Sequence, residues 1–98
     1  MDMTAITEAL RSKFGSSGGL GATLMFDCGG DGVVVIDGRV QPHTVDNQRI
    51  AADCTVTITR ENLVALMNGQ LDPVMGFMTG QFRVAGDMGV ALKLQRLV

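Results

Sequence analysis

Residues 52–89, ADCTVTITRENLVALMNGQLDPVMGFMTGQFRVAGDMG, switch hydrophobic period from element to element, and those switches decide the fold class. From Asp53 to Thr59, Cys54, Val56 and Ile58 alternate with Thr55, Thr57 and Thr59, the period of a half-buried strand rich in β-branched residues. Thr59 can cap a helix; Leu63, Val64, Leu66 and Met67 form its apolar side, and Gly69 supplies the stop. Asp72 as N-cap with Pro73 at the first helical position starts a second, short helix in which Val74, Phe77 and Met78 share a face until Gly80 ends it. Phe82 and Val84 then alternate with Gln81, Arg83 and Ala85 in a last strand, and Asp87 caps a terminal helix beginning at Met88.

Upstream, Ile6, Leu10 and Phe14 fall at helical spacing between Thr4 and Phe14, which predicts an amphipathic first helix ended by Gly15-Ser16-Ser17-Gly18-Gly19. Leu20, Ala22, Leu24, Phe26 and Cys28 alternate with Gly21, Thr23, Met25 and Asp27, a strand with one strongly apolar face, and Gly29-Gly30-Asp31-Gly32 is a turn. Val33 to Ile36 is apolar throughout, as in a strand covered on both faces or placed centrally, and Asp37-Gly38 signals a hairpin. Residues Arg39 to Val45 read as the return strand, at a sheet edge because Pro42 cannot donate to a ladder; polar Asp46 to Arg49 reads as a loop. The order is helix, four strands, two helices, strand, helix. It predicts one α+β domain over 1–98 with a sheet covered chiefly on one face.

A chain of 98 residues has one modest core, burying roughly 60 to 70% of the surface its unfolded form exposes. Aromatic residues are only four Phe, with no Trp or Tyr, so a core drawn from the 46% hydrophobic residues is mainly aliphatic. A net charge of -2 with both signs scattered leaves no footprint for nucleic acid and no polybasic patch. Cys28 and Cys54 are too few for a disulfide framework, no segment has the length of a membrane span, and the N-terminus lacks the apolar run of a signal peptide; a cytoplasmic location is expected.

Catalytic and metal motifs fail on context. Gly15-x-Ser17-x-Gly19 matches a nucleophile elbow formally, but the helix precedes it and the strand follows, the reverse of what the motif needs. His43 is the only histidine and would have to serve as the base of any triad. The run Asp27-x-Gly29-x-Asp31-Gly32 lacks the oxygen ligand at the third position and the distal Glu of a calcium loop, and Gly19-x-Gly21 leads into a strand without a third glycine. One His and two separated Cys assemble no metal set, so no enzyme activity, metal or cofactor is expected.

A ligand is suggested by the terminal helix. At about 100° per residue, Met88, Val90, Ala91, Leu92, Leu94, Leu97 and Val98 cover more than half its circumference, wider than packing on one sheet requires. The excess needs a second apolar surface: a lipid, a neighbouring helix or a partner subunit. Gln95 falls within this arc, either facing a cavity as a hydrogen-bonding group or reaching water at the rim. Met67, Met75, Met78 and Met88 suit either a wall that adapts to ligands of different shape or ordinary core filling.

Ala52-Asp53-Cys54-Thr55, Leu66-Met67-Asn68-Gly69, Leu71-Asp72-Pro73, Gly80-Gln81-Phe82, Gly86-Asp87-Met88-Gly89 and Lys93-Leu94-Gln95 together resemble the type-two sterol carrier protein family, most densely from Ala52 onward. The resemblance implies a five-stranded, mainly antiparallel sheet with helices over one face and a hydrophobic lipid tunnel between. It also implies non-enzymatic carriage of sterol-like, fatty-acyl or phospholipid molecules, and makes the helix from Pro73 to Met78 part of the tunnel wall. The candidate wall residues are Leu66, Met67, Met75, Phe77, Met78, Phe82, Met88, Leu92 and Gln95. The chain ends Arg96-Leu97-Val98, without a peroxisomal Ser-Lys-Leu signal and without the family's C-terminal extension, so a more open or dimer-closed tunnel is expected. The expected partners are a lipid or fatty acyl ligand, a membrane surface in transient contact, and at most a second copy. The competing reading is an interaction or dimerisation module, or a lipid-presenting accessory subunit.

Overall fold

The computed structural model describes residues 1–15 and 19–93. Its elements are α1 (Met3–Gly15), β1 (Thr23–Asp27), β2 (Val33–Asp37), β3 (Thr44–Asp46), β4 (Cys54–Ile58), α2 (Arg60–Met67), α3 (Pro73–Met78), β5 (Phe82–Gly86) and α4 (Met88–Leu92), with a 3-10 turn at Gly29–Asp31. The predicted order of elements holds. The five strands form one sheet in the order β3-β2-β1-β4-β5, antiparallel at every pairing except β1 with β4, which is parallel.

Period-2 alternation puts one apolar row on the helix-covered face. Val34, Phe26, Val56 and Val84 are neighbours across four strands, as are Val45, Ile36, Leu24 and Cys54. Ile6, Leu10 and Phe14 of α1, Leu63, Leu66 and Met67 of α2, and Val90 and Ala91 of α4 complete this core. Burying each such aliphatic side chain stabilises by about 1.5–3 kcal/mol, so this cluster carries most of the driving force for folding.

The parallel β1–β4 pair requires a crossover. The β2–β3 hairpin and the segment after it provide one, and that segment explains why β2 is apolar at every position. Met25, Val33 and Val35 face away from the helices yet are buried, with Ala52 of the β3–β4 connection packed against them. Long-range bonds hold this connection: Arg49 pairs with Asp27 at 2.7 Å, Asn47 donates to the carbonyl of Val33, and the Asp53 carboxylate accepts from Thr23 N and Oγ1 at 2.9 and 3.1 Å. β2 is thus covered on both faces, although it lies next to an edge strand.

The return strand is shorter than its sequence suggests. It begins at Thr44, so Pro42 belongs to the preceding turn, after a cis Gln41–Pro42 peptide, and not to the edge strand. The ring of His43 explains the order in that turn. It is buried, with Nδ1 donating to the carbonyl of Val40 at 2.8 Å and Nε2 accepting from the amide of Leu20 at 3.2 Å. Both nitrogens are engaged in joining two loops.

Candidate functional site

Three short elements meet beside the free edge of the sheet. α3 starts where Asp72 accepts from the amides of Val74 and Met75 at 2.8 and 3.0 Å, with Pro73 in its first turn. β5 follows, and Asp87 then caps α4 by accepting from Gly89 at 2.8 Å while its own amide donates to the carbonyl of Asp53 at 2.8 Å. Lys93 fixes the far end of α4 through Nζ, which donates to the carbonyl of Leu20 at 2.7 Å. The last β–α turn is thereby tied to the start of β4 and the helix end to the loop before β1.

Between these elements lies a groove of about 140 Å³ lined by Pro73, Val74, Phe77, Phe82, Val84, Met88, Ala91 and Leu92. Among the described residues, no lining side chain is polar. Phe82 and Ala91 are buried in its floor, whereas Val74, Phe77, Met88 and Leu92 stay 44% to 66% exposed along its rim. Phe77 and Phe82 are tilted rings with centroids 6.4 Å apart. The described lining offers desolvation and dispersion contacts to an apolar molecule.

A larger, open cleft of about 320 Å³ lies around the start of β5, lined by Asp27, Cys28, Gly29, Thr57, Ile58, Thr59, Gly80, Gln81, Phe82 and Arg83. Burial, helped by the charges of Asp31 and Asp27, pushes the Cys28 thiol up to about 11, far from a thiolate at neutral pH. The side-chain bonds from Arg49 hold the Asp27 carboxyl below its usual range. The Cys54 thiol is likewise pushed up by burial. Among the described residues, no group of three or more His, Cys, Asp or Glu could hold a metal ion.

Of the residues expected in the wall, the groove brings together Phe77, Phe82, Met88 and Leu92. Leu66 and Met67 lie in the core, on the side of α2 that faces the sheet. Met75 and Met78 are 56% and 72% exposed and do not line the groove. Gln95 lies outside the described residues, as do Leu94, Leu97 and Val98 of the proposed terminal arc. Pro73, Val74, Val84 and Ala91 complete the lining. Val74 and Val84 carried the right signal, apolar positions in register with Phe77 and Phe82; for Ala91 only its place in the terminal arc pointed this way.

A five-stranded mixed sheet with helices on one face, open beside its last strand onto an apolar groove, is the architecture of a small lipid-binding domain. The profile of the SCP-2 sterol transfer family matches residues 12–98, and the chain belongs to that family. Sterol carrier protein 2 of the rabbit, Oryctolagus cuniculus, is 48% identical over 46 residues, a match covering 47% of this chain and 8% of that protein. The chain therefore corresponds to a small part of such relatives. The crystal structure of sterol carrier protein 2 like 2 from Aedes aegypti superposes with a TM-score of 0.78 at 22% identity, covering 98% of this chain and 95% of that one. The solution structure of the palmitated form of the same mosquito protein gives 0.73 at 22% identity, covering 99% and 94%. These structures establish the shared fold, and membership establishes a lipid-binding and transfer family. Among the described residues, no helix is long and apolar enough to cross a membrane.

Proposed function

We propose that this chain binds a single lipid by its apolar chain or ring system in the groove between α3, β5 and α4, and carries it without a chemical step. The observation that carries this reading is a groove lined, among the described residues, by apolar side chains alone, with Val74, Phe77, Met88 and Leu92 gathered along one rim and open to solvent. Surface of that kind is stabilised when an apolar molecule covers it. The ligand class is fatty acid, fatty acyl conjugate, sterol-like molecule or phospholipid; the palmitated mosquito relative supports the fatty-acyl member of that set. A wall that lacks polar side chains among the described residues, with flexible Met88 at its rim, favours low selectivity. Transient contact with a membrane surface supplies the ligand, in a cytoplasmic setting, with the chain acting as monomer or homodimer.

Displacement of a fluorescent fatty acid from delipidated protein tests the reading. Saturable binding of acyl, sterol or phospholipid competitors is expected, and no saturable binding across all three would sink it. Exposed Met75 and Met78, which lie off the groove, favour a second reading as an interaction or dimerisation module. Native mass spectrometry separates the two: retained lipid supports the carrier, whereas a concentration-dependent dimer without lipid supports the module.

A further inference from the structure

We infer that α3 is a movable wall seated on the sheet through Gly76, and that this seat sets the length of chain the groove admits; the inference rests on the carrier reading. The groove holds about 140 Å³, whereas sites that enclose small-molecule ligands run to roughly 300–1,000 Å³. A short chain fits it as it stands. A long one fits only if a wall retreats.

Two of the three walls are tied down. β5 is laddered to β4 from Cys54↔Gly86 to Ile58↔Phe82, and α4 buries Val90 and Ala91 while Lys93 and the amide of Asp87 anchor its ends. α3 buries only Pro73 and Gly76, and its other four residues are 44% to 72% exposed. It is also bracketed by Gly69 and Gly80, whose φ values of +76° and +74° mark turns that glycine adopts without strain. An element with so little buried surface opens at low free-energy cost.

Gly76 is what lets it close. A Cβ at this position would stand 2.7 Å from Cε2 of Phe82 and 3.1 Å from Cδ1 of Leu71, so the bare backbone of α3 rests directly on the Phe82 ring. The φ of Gly76 is not positive, and the requirement is therefore space, not an unusual backbone. Alanine here would favour helix while lifting α3 off its seat. A lifted α3 removes the conformational penalty a long chain otherwise bears, and deprives a short chain of its cover.

The test compares octanoate and palmitate as competitors on the parent and on Gly76→Ala, with hydrogen exchange followed by mass spectrometry on both. Gly76→Ala is expected to raise the palmitate-over-octanoate preference about tenfold, equivalent to about 1.4 kcal/mol. In the ligand-free parent, amides of α3 should exchange much faster than those of α2, and palmitate should alter exchange in α3 while leaving α2 unchanged. A folded Gly76→Ala protein with the parent's preference overturns the inference, as does a ligand-free parent in which α3 is protected as strongly as α2. Should Gly76→Ala fail to fold, exchange in the parent still decides. A parent that binds neither acid, nor any sterol or phospholipid competitor, refutes the carrier reading, and exchange in its ligand-free α3 then judges the movable wall separately.

Discussion

Leu92→Asp separates a ligand-binding rim from a packing surface, because Leu92 lies on the groove yet is 66% exposed in the free protein. Complete burial of a leucine side chain stabilises by about 1.5–3 kcal/mol, so a ligand that covers the open two thirds gains about 1–2 kcal/mol from it. Aspartate forfeits this gain and must also lose water or take up a proton beneath an apolar chain, a further penalty of about 1–3 kcal/mol. Affinity should fall roughly 30-fold or more. Stability should change far less, since the carboxylate is hydrated in the free protein and its remaining penalty, a negative charge near the end of a short helix, is about 0.3–1 kcal/mol. Leu92→Met should alter affinity by less than about 1.5 kcal/mol, as similar apolar volumes usually do. Displacement titration reads the affinity and urea denaturation the stability. If Leu92→Asp folds normally and binds within threefold of the parent, the groove between α3 and α4 is not where the lipid sits.

Removing the cap of α3 by Asp72→Ala leaves the amides of Val74 and Met75 without their acceptor, and should weaken the helix by about 0.5–2 kcal/mol; faster hydrogen exchange confined to α3 is the expected result. Cys28 and Cys54 should remain thiols that alkylate slowly near neutral pH, because burial raises both and holds Cys28 at about 11; intact mass after iodoacetamide, with and without urea, checks this. Asp27, Asp37 and Asp53 are held below the usual carboxylate range, by Arg49, by Arg39 and by the Thr23 amide and hydroxyl respectively, with Asp37 brought to about 2. Depressed folded-state values mean stability that is complete above the unfolded value near 3.8 and is lost as pH falls through the folded values, so urea midpoints should decline below about pH 4. Arg49→Gln should flatten that decline by releasing Asp27.

Short-range chemistry made the elements legible. Thr59, Asp72 and Asp87 cap the helices predicted for them because an N-cap is a bond between residues two or three apart. Cys54, Val56 and Ile58 are buried in alternation because a strand's two faces are written in adjacent residues. The β3–β4 connection was harder to read. Arg49 and Asp53 look like loop residues by type, and what they do depends on Asp27 and Thr23, partners 22 and 30 residues away that carry no periodic signal. The run Val33 to Ile36 announced a strand covered twice or placed centrally, but not which, nor what would cover its second face.

The groove shows a subtler limit, one that lies in the geometry of α3. An apolar stripe tells which face of a helix avoids water, and the usual inference is that its largest residues face the protein. At about 100° per residue, Gly76 stands about 60° from Pro73 and 100° from Phe77, so a helix seated by its glycine turns Pro73, Val74 and Phe77 toward the groove and leaves Met75 and Met78 to solvent. Glycine adds nothing to a hydrophobic pattern. The face that touches the sheet is therefore silent in the sequence, and the residues that declare themselves most strongly are those left largely exposed. Leu66 and Met67 make the complementary case: α2 is seated by its large residues, and the same stripe there reports packing. In this chain α3 meets the sheet through glycine and α2 through leucine, and α3 is the one that leaves its large residues open to solvent.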